Sequence, residues 1–256
     1  MKALLRTLRI SWRTLLLFAH ILLGIILTLL FVNRDLPPGS RASRLTLWWH
    51  ARACRIFGAS LQRHGEISTE TTLYVCNHIS WFDIPALGSQ LPAHFLSKDE
   101  VARWPIVGWF ATRTGTLYIR RGASGAAQRS MNEIRDTLQQ GGNVILFAEG
   151  TTSDGSTVRR FHSRLLQAAI DAGAQVQPIA ITYPHAQGVH PHAPFLDDTN
   201  LAESAGGIMG GEPMQVRIDC LPPVNAADYG RNQLASTCEA QIRDLVERVY
   251  RQEGKN

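Results

Sequence analysis

The chain has 256 residues, a formal net charge of +5 and an apolar fraction of 45%. The apolar fraction excludes a disordered chain, and the length suits one large domain with an appendage rather than two full domains. A basic balance is compatible with nucleic acid, an anionic membrane surface, or phosphorylated and CoA-like substrates, so composition leaves these partners open.

The first predicted element is an uncharged apolar segment. Residues 14–32 contain no Asp, Glu, Lys or Arg. As a helix they reach about 28 Å, close to the thickness of the bilayer hydrocarbon. A cleaved signal peptide fits less well, because the run is too long and residues 33–37 lack a small-residue cleavage pattern. We therefore predict that the segment remains on the protein as a membrane anchor.

The orientation of this anchor stays open, because both of its flanks are basic and the positive-inside rule gives no preference. One possibility is a single span, and the other is a monotopic hairpin with both flanks on the cytoplasmic face. Residues 41–61 alternate arginines with apolar residues that include Trp48 and Trp49, a pattern typical of an interfacial helix. The alternative is that these apolar residues pack on the globular domain. We assign residues 1–61 to the anchor and interfacial helix.

Strands alternate with helices through the rest of the chain. The predicted strands are 71–76, 94–97, 116–119, 144–147, 176–183 and 214–221. The predicted helices are 84–90, 104–110, 126–139, 164–172 and 232–250. The alternation predicts an α/β fold, a single compact domain with a mixed, partly parallel sheet flanked by helices. Residues 185–211, rich in Gly, Pro, His and Asp, are predicted as a long surface loop.

The four cysteines show no C-x-x-C pair and no zinc spacing. They are therefore predicted to be free thiols in a reducing compartment. His185, His190 and His192 lie close together in the sequence. A metal site there is conceivable, but no acidic or cysteine partner has suitable spacing, so a flexible polar loop is expected instead.

The strongest chemical signal is His78, which follows a predicted strand and has Asp83 five positions later. Histidine is the usual general base near neutral pH, and a carboxylate on its second ring nitrogen fixes the tautomer. The chain contains no Gly-x-Ser-x-Gly, no Walker loop and no Gly-x-Gly-x-x-Gly. A base without a protein nucleophile indicates direct activation of a substrate hydroxyl.

The chain resembles the glycerolipid acyltransferases of the 1-acyl-sn-glycerol-3-phosphate (lysophosphatidic acid) acyltransferase type. Four blocks in fixed order, within residues 60–185, carry the resemblance: Asn77-His78 with Asp83, Gly115-Thr-Leu-Tyr-Ile-Arg-Arg121, Phe147-Ala-Glu-Gly-Thr151, and Val176-Gln-Pro-Ile179. Tyr118 and Ala148 depart from the family pattern, which has Phe and Pro there. The resemblance identifies residues 62–256 as an acyltransferase catalytic domain.

The family resemblance implies a role for each matching residue. His78 would deprotonate the acceptor hydroxyl and Asp83 would orient it. The alkoxide would then attack the thioester of acyl-CoA or acyl-carrier protein, without an acyl-enzyme, a cofactor or a metal. The residues implied in acceptor binding are Asn77, Arg121, Glu149, Gly150 and Thr151. For Arg121, the guanidinium fork suits phosphate or carboxylate oxygens.

The acceptor is less well determined by the sequence. Many relatives that use a phosphate acceptor have Arg directly after Glu-Gly-Thr, whereas this chain has Thr152. The first expectation is lysophosphatidic acid, giving phosphatidic acid in phospholipid biosynthesis. The alternative is a phosphate-free lyso-lipid such as lyso-ornithine lipid, and a second alternative is a non-catalytic membrane adaptor.

The resemblance also implies partners and a location. The expected partners are the lyso-lipid, the acyl donor and an anionic membrane surface, with no nucleic acid. The expected location is the inner (cytoplasmic) membrane, with the catalytic domain on the cytoplasmic side.

Overall fold

The computed structural model describes residues 2–32, 39–120, 125–196 and 199–253. Two helices come first, α1 (Lys2–Phe31) and α2 (Arg41–Phe57). The helices that follow are α3 (Asp83–Gly88), α4 (Val107–Arg113), α5 (Ala126–Gln139), α6 (Gln167–Ala172), α7 (Leu201–Gly210) and α8 (Arg231–Glu253). Short 3-10 turns lie at Asp99–Arg103, Arg164–Leu166 and Ala226–Asp228.

In the described residues, ten strands lie between these helices. They are β1 (Ala59–His64), β2 (Thr72–Cys76), β3 (His94–Lys98), β4 (Leu117–Ile119), β5 (Val144–Phe147), β6 (Gln175–Thr182), β7 (Pro184–His185), β8 (Gly188–Val189), β9 (Met214–Cys220) and β10 (Val224–Asn225). The main sheet has the order β1-β9-β6-β2-β5-β3-β4, with β10 beside β6, and β7 and β8 form a separate hairpin.

The pairing in the main sheet is mixed. Strands β6, β2, β5, β3 and β4 run parallel to one another. Strand β9 is antiparallel to β6, and β1 is parallel to β9. This confirms the predicted mixed, partly parallel sheet. The parallel part brings the carboxyl ends of β2, β5 and β6 to one edge, the usual place for a site in such sheets.

The sheet lies between two apolar layers. In β2, Tyr74 and Cys76 face one hydrophobic cluster with residues of α2, α3 and α7, whereas Leu73 and Val75 face a second cluster with α5, α6 and α8. Because both faces are covered, every residue of β2 is buried, as parallel strands require. The residues that follow β2 at this edge of the sheet therefore extend from a rigid central strand.

Helix α1 has two different faces. One face packs on the domain: the guanidinium of Arg13 donates to the carbonyl oxygen of Met209 at 2.6 Å, and the His20 ring stacks on Trp49 with centroids 4.8 Å apart. The other face is an exposed apolar stripe at helical spacing that includes Leu8, Trp12, Leu15, Leu22, Ile26 and Leu29. Within the described residues, Ala3–Phe31 is the one helix that is long and apolar enough to cross a membrane.

Most predicted elements are confirmed, with ends that differ by up to three residues, and 126–139 and 144–147 match their elements at both ends. The predicted loop over 185–211 is wrong, because this stretch contains β7, β8 and α7. Glycine made α7 resemble a loop, but two of its glycines, Gly207 and Gly210, allow close packing. A Cβ on Gly207 would meet the His192 ring at 2.9 Å, and one on Gly210 would meet Ile10 of α1 at 2.7 Å.

Strand β1 was also missed, because it lies in the stretch predicted as interfacial helix. It begins at Ala59, so the division proposed at residue 61 falls inside a strand of the main sheet, and that division stays a prediction.

Candidate active site

The site lies at the carboxyl ends of three neighbouring parallel strands. The segment from Asn77 to Asp83 leaves β2 and enters α3, and the turn from Glu149 to Ser153 leaves β5. Tyr183 directly follows β6. The two sequence blocks, about seventy residues apart in the chain, are neighbours in the structure because β2 and β5 are paired.

His78 and Asp83 form a hydrogen-bonded pair, with 2.7 Å between Nδ1 of the histidine and Oδ2 of the aspartate. The Asp83 side chain is fully buried, whereas 18% of the His78 side chain is exposed. The imidazole stacks on Phe147 with ring centroids 3.9 Å apart. With Nδ1–H donating to the carboxylate, Nε2 carries the lone pair of the neutral ring. Nε2 has no protein partner in the described part of the chain, so it is available to a substrate hydroxyl.

Asp83 is held by more than the histidine. Its Oδ2 also accepts from the backbone N–H groups of Ile79 at 2.7 Å and Ser80 at 3.0 Å. Its Oδ1 accepts from the hydroxyl of Tyr183 at 2.5 Å. These donors satisfy a buried carboxylate that would otherwise be costly to ionise. They also fix the side chain, so that Asp83 can orient the imidazole.

Tyr183 is a functional candidate that the sequence analysis missed. Burial, with the neighbouring charge of Asp83, raises the pKa of Tyr183 well above its ordinary value, so the phenol stays protonated and donates. Its backbone N–H donates to the hydroxyl of Tyr250 at 3.2 Å. In the sequence, Tyr183 ends an apolar strand and looks like a core residue, so no local signal marks it as a partner of Asp83.

Tyr183→Phe is expected to lower kcat roughly ten-fold while the fold is retained, because one of four donors to Asp83 is lost. Asp83 is then held less firmly against the imidazole, whereas the KM for either substrate should change little. The control is Tyr74→Phe, because the buried Tyr74 hydroxyl has no hydrogen-bond partner in the described structure. Equal kcat values for the two variants would contradict a role in positioning Asp83.

Glu149 holds the backbone around His78. One carboxylate oxygen accepts from the backbone N–H of His78 at 2.8 Å, and the other from that of Arg159 at 3.1 Å. On the other side, Ser153 donates to the carbonyl oxygen of His78 from both its N–H at 2.8 Å and its hydroxyl at 3.1 Å. The turn after β5 thus fixes both backbone groups of His78.

The titration of Glu149 should affect stability. Burial raises the pKa of Glu149 from 4.5 to about 7, against the opposing effect of the two N–H donors. Between those values the folded protein keeps a proton that the unfolded chain has lost. The contribution of this group to the unfolding free energy is therefore full below about pH 4.5 and is lost as the pH rises to about 7.

Glu149→Gln should remove this dependence. In thermal unfolding of the detergent-solubilised proteins between pH 5 and 8, the wild-type Tm should fall relative to the variant as the pH rises. Gln offers only one acceptor oxygen for two N–H groups, so the variant should also lose about 1–3 kcal/mol at every pH. Parallel Tm curves would contradict the raised pKa.

The remaining predicted site residues lie in different structural environments. Asn77 is buried, and its amide pairs with both the N–H and the carbonyl oxygen of Ile181, at 2.8 and 2.9 Å, which joins β2 to β6. Gly150 has a φ of 71°, a left-handed conformation that favours glycine. Thr151 is half-buried in the same turn. Arg121 lies outside the described residues. The acceptor-binding roles of these residues stay predictions.

Thr152 links the turn after β5 to the loop that contains Phe195. Its hydroxyl donates to the carbonyl oxygen of Phe195. The backbone N–H of Phe195 in turn donates to the carbonyl oxygen of Ile79 at 3.0 Å. Position 152, directly after the Glu-Gly-Thr turn, is therefore occupied by a neutral side chain that is bonded to the protein backbone.

The four cysteines are buried and unpaired: Cys54, Cys76, Cys220 and Cys238. The rings of His185 and His192 lie 5.4 and 5.9 Å from that of His190. Among the described residues, no group of three or more His, Cys, Asp or Glu side chains is arranged to hold a metal ion.

Comparison with known proteins agrees with this geometry. A family model described as Acyltransferase matches residues 60–182. A Pseudomonas aeruginosa protein named lyso-ornithine lipid O-acyltransferase is 38% identical over 240 residues, which cover 92% of this chain and 93% of the relative. A Neisseria gonorrhoeae 1-acyl-sn-glycerol-3-phosphate acyltransferase is 29% identical, covering 84% of this chain and 85% of the relative.

The fold is also similar to a solved structure. The crystal structure of the 1-acyl-sn-glycerophosphate (LPA) acyltransferase PlsC from Thermotoga maritima matches with a TM-score of 0.71 and 19% identity, over 97% of each chain. Together, the family match and the relatives show that the chain belongs to the PlsC-type acyltransferase family. It is a lyso-lipid acyltransferase, with an acyl donor and a lyso-lipid acceptor as substrates.

Proposed function

We propose that the protein transfers a fatty acyl group to the free hydroxyl of lyso-ornithine lipid. The observation that carries this proposal is the similarity to the P. aeruginosa lyso-ornithine lipid O-acyltransferase, which extends over 92% of the chain. The sequence analysis ranked lysophosphatidic acid first and lyso-ornithine lipid second. The comparisons favour the second acceptor.

The turn after β5 supports a phosphate-free acceptor. Thr152 is neutral and bonded to Phe195, and the next charged side chain is the exposed carboxylate of Asp154. A phosphate group gains nothing from a carboxylate, whereas the ammonium group of an ornithine headgroup is attracted to one. These two positions of the turn, Thr152 and Asp154, therefore suit an amino-acid headgroup better than a phosphate.

The dyad supplies the chemistry of the transfer. Nε2 of His78 accepts the proton of the acceptor hydroxyl, and the hydrogen bond to Asp83 stabilises the imidazolium that forms. The acceptor oxygen attacks the thioester carbonyl carbon, and a new ester bond forms as the carbon–sulfur bond breaks. The leaving sulfur takes the proton back from His78. The base returns to its starting state, and no acyl-enzyme is formed.

Acylation of lysophosphatidic acid is the second candidate. The N. gonorrhoeae relative carries that activity in its name and covers 84% of this chain. The four sequence blocks are the same for both acceptors, so they do not separate them.

The N-terminal helices support attachment of the protein to the cytoplasmic face of the inner membrane. Because one face of α1 is bonded to the domain through Arg13 and His20, its apolar stripe suits burial in one leaflet better than a free span. Arg44, Arg52 and Arg55 on α2 would face anionic headgroups, each contributing about 1 kcal/mol near the surface. The full span stays an alternative.

The test is acyl transfer by detergent-purified protein from labelled acyl-CoA, with lyso-ornithine lipid and lysophosphatidic acid in parallel. Ornithine lipid as the main product would support the proposal. Phosphatidic acid as the main product would replace it with the second candidate. Binding of both lipids without turnover would indicate a non-catalytic adaptor.

A further inference from the structure

We infer that Arg159, Arg160 and Arg164, called the basic strip below, bind the phosphate groups of the acyl donor's pantetheine carrier. The inference rests on the acyl transfer proposed above but not on the choice of acceptor. It assigns a donor surface to a segment that the four sequence blocks do not include.

The backbone of the basic strip is fixed from both sides. Val158 and Phe161 are buried in the core. Glu239 of α8 accepts from the N–H of Phe161 at 2.7 Å, and the N–H of His162 donates to the carbonyl oxygen of Ala148 at 2.9 Å. These contacts fix the intervening residues, which belong to neither a helix nor a strand. A rigid backbone lowers the entropic cost of binding a charged ligand.

The side chains of the basic strip are exposed and have no ion pair or hydrogen bond within the described structure. This differs from the arginines that do have acidic partners, which are Arg103, Arg135, Arg217, Arg243 and Arg251. Three unpaired guanidinium groups within six residues form a concentrated positive surface. Guanidinium forks match phosphate oxygens in a bidentate way, which makes a phosphorylated ligand the natural partner.

The basic strip is directly linked to the catalytic histidine. The Glu149 carboxylate that accepts from the N–H of His78 also accepts from the N–H of Arg159. A donor has its thioester at one end of a flexible pantetheine arm and its phosphates at the other. With the phosphates on the basic strip, the arm needs only to cross the turn after β5 to bring the thioester to His78.

The position of the basic strip argues against a membrane contact. Val158 and Phe161 belong to the hydrophobic cluster on the α5 and α8 face of the sheet. The α1 residues Ile10 and Leu17 pack against the cluster on the opposite face. The basic strip and the apolar stripe of α1 therefore attach to opposite layers, so a water-soluble polyanion fits the strip better than a lipid headgroup.

The test compares two donors that share a thioester, palmitoyl-CoA and palmitoyl-pantetheine, the second of which has no phosphate. Changing Arg159, Arg160 and Arg164 together to Gln should raise the KM for palmitoyl-CoA about ten-fold or more. The KM for palmitoyl-pantetheine should not change. The control is Arg63→Gln, which removes an exposed arginine of β1 at the other edge of the sheet and should change neither KM.

A binding measurement separates this inference from the acceptor question. Equilibrium binding of a palmitoyl-CoA thioether to the His78→Ala protein needs no acceptor, and the triple Gln change should weaken it by a similar factor. An equal rise in KM for both donors would overturn the inference and indicate that the strip has a structural role. A KM that rises only with acyl-carrier protein, or weaker binding to anionic vesicles at unchanged KM, would also overturn it.

Discussion

His78→Ala is expected to lower acyl transfer by about 10²- to 10⁴-fold while the protein remains folded. The imidazole is the only base that the structure places with a buried carboxylate on one nitrogen and a partner-free second nitrogen, within the described residues. The backbone of residue 78 stays bonded to Glu149 and Ser153, and Asp83 keeps its three other donors. The measurement is product formation per minute at saturating donor and acceptor, with the far-UV circular dichroism spectrum as the check on folding.

The control for this variant is a histidine outside the site. His64, on the edge strand β1, is exposed and its side chain makes no hydrogen bond within the described structure, so His64→Ala should lower the rate much less than His78→Ala. Exogenous imidazole should restore part of the His78→Ala activity if a missing base is the defect. A folded His78→Ala protein with near wild-type turnover would refute the assigned base.

Asp83→Asn is expected to lower kcat by about 10³- to 10⁴-fold, because an amide cannot serve all of the donors that converge on this position. The carboxylate oxygens accept from His78, Ile79, Ser80 and Tyr183. An Asn side chain keeps one acceptor oxygen. If that oxygen still accepts from the backbone N–H groups of Ile79 and Ser80, the NH₂ group of the amide faces either the His78 imidazole or the Tyr183 phenol. At the imidazole it would force the tautomer that puts a proton on Nε2, the wrong one for a base.

The same substitution should also reduce stability. Leaving a buried donor without its acceptor costs about 1–3 kcal/mol, so the Tm should fall together with kcat. The KM for the acyl donor should change little, because Asp83 is fully buried and does not reach the surface. A large rise in the donor KM at unchanged kcat would show that Asp83 acts in binding rather than in orienting the base.

The pairing of His78 with Asp83 was predictable because the two residues lie five positions apart. A strand that ends and turns into a helix brings such positions together, and the structure confirms the contact at 2.7 Å. The contact between His78 and Glu149 was not predictable, since seventy-one positions separate them. Glu149 was predicted to bind the acceptor, and that role stays a prediction. Its observed bonds depend on the pairing of β2 with β5, which no local pattern specifies.

Tyr183 and α7 illustrate a second limit. An aromatic residue at the end of an apolar strand packs in the core far more often than it bonds to a catalytic carboxylate, so periodicity alone assigns it to packing. In α7, glycine lowers the intrinsic helix preference. The helix forms because its small residues allow α1 and the His192 ring to approach closely. Both outcomes depend on tertiary contacts.

The burial of the four cysteines determines how the reaction can be followed. Burial raises the pKa of Cys54 and Cys238 to about 12 and that of Cys220 to about 11, and it raises the pKa of Cys76 as well. Thiols react with disulfide reagents as thiolates, so these four should be inert in the folded protein. Each turnover with acyl-CoA releases one free thiol. A chromogenic disulfide added to the assay should therefore report catalysis continuously, against almost no background from the enzyme itself.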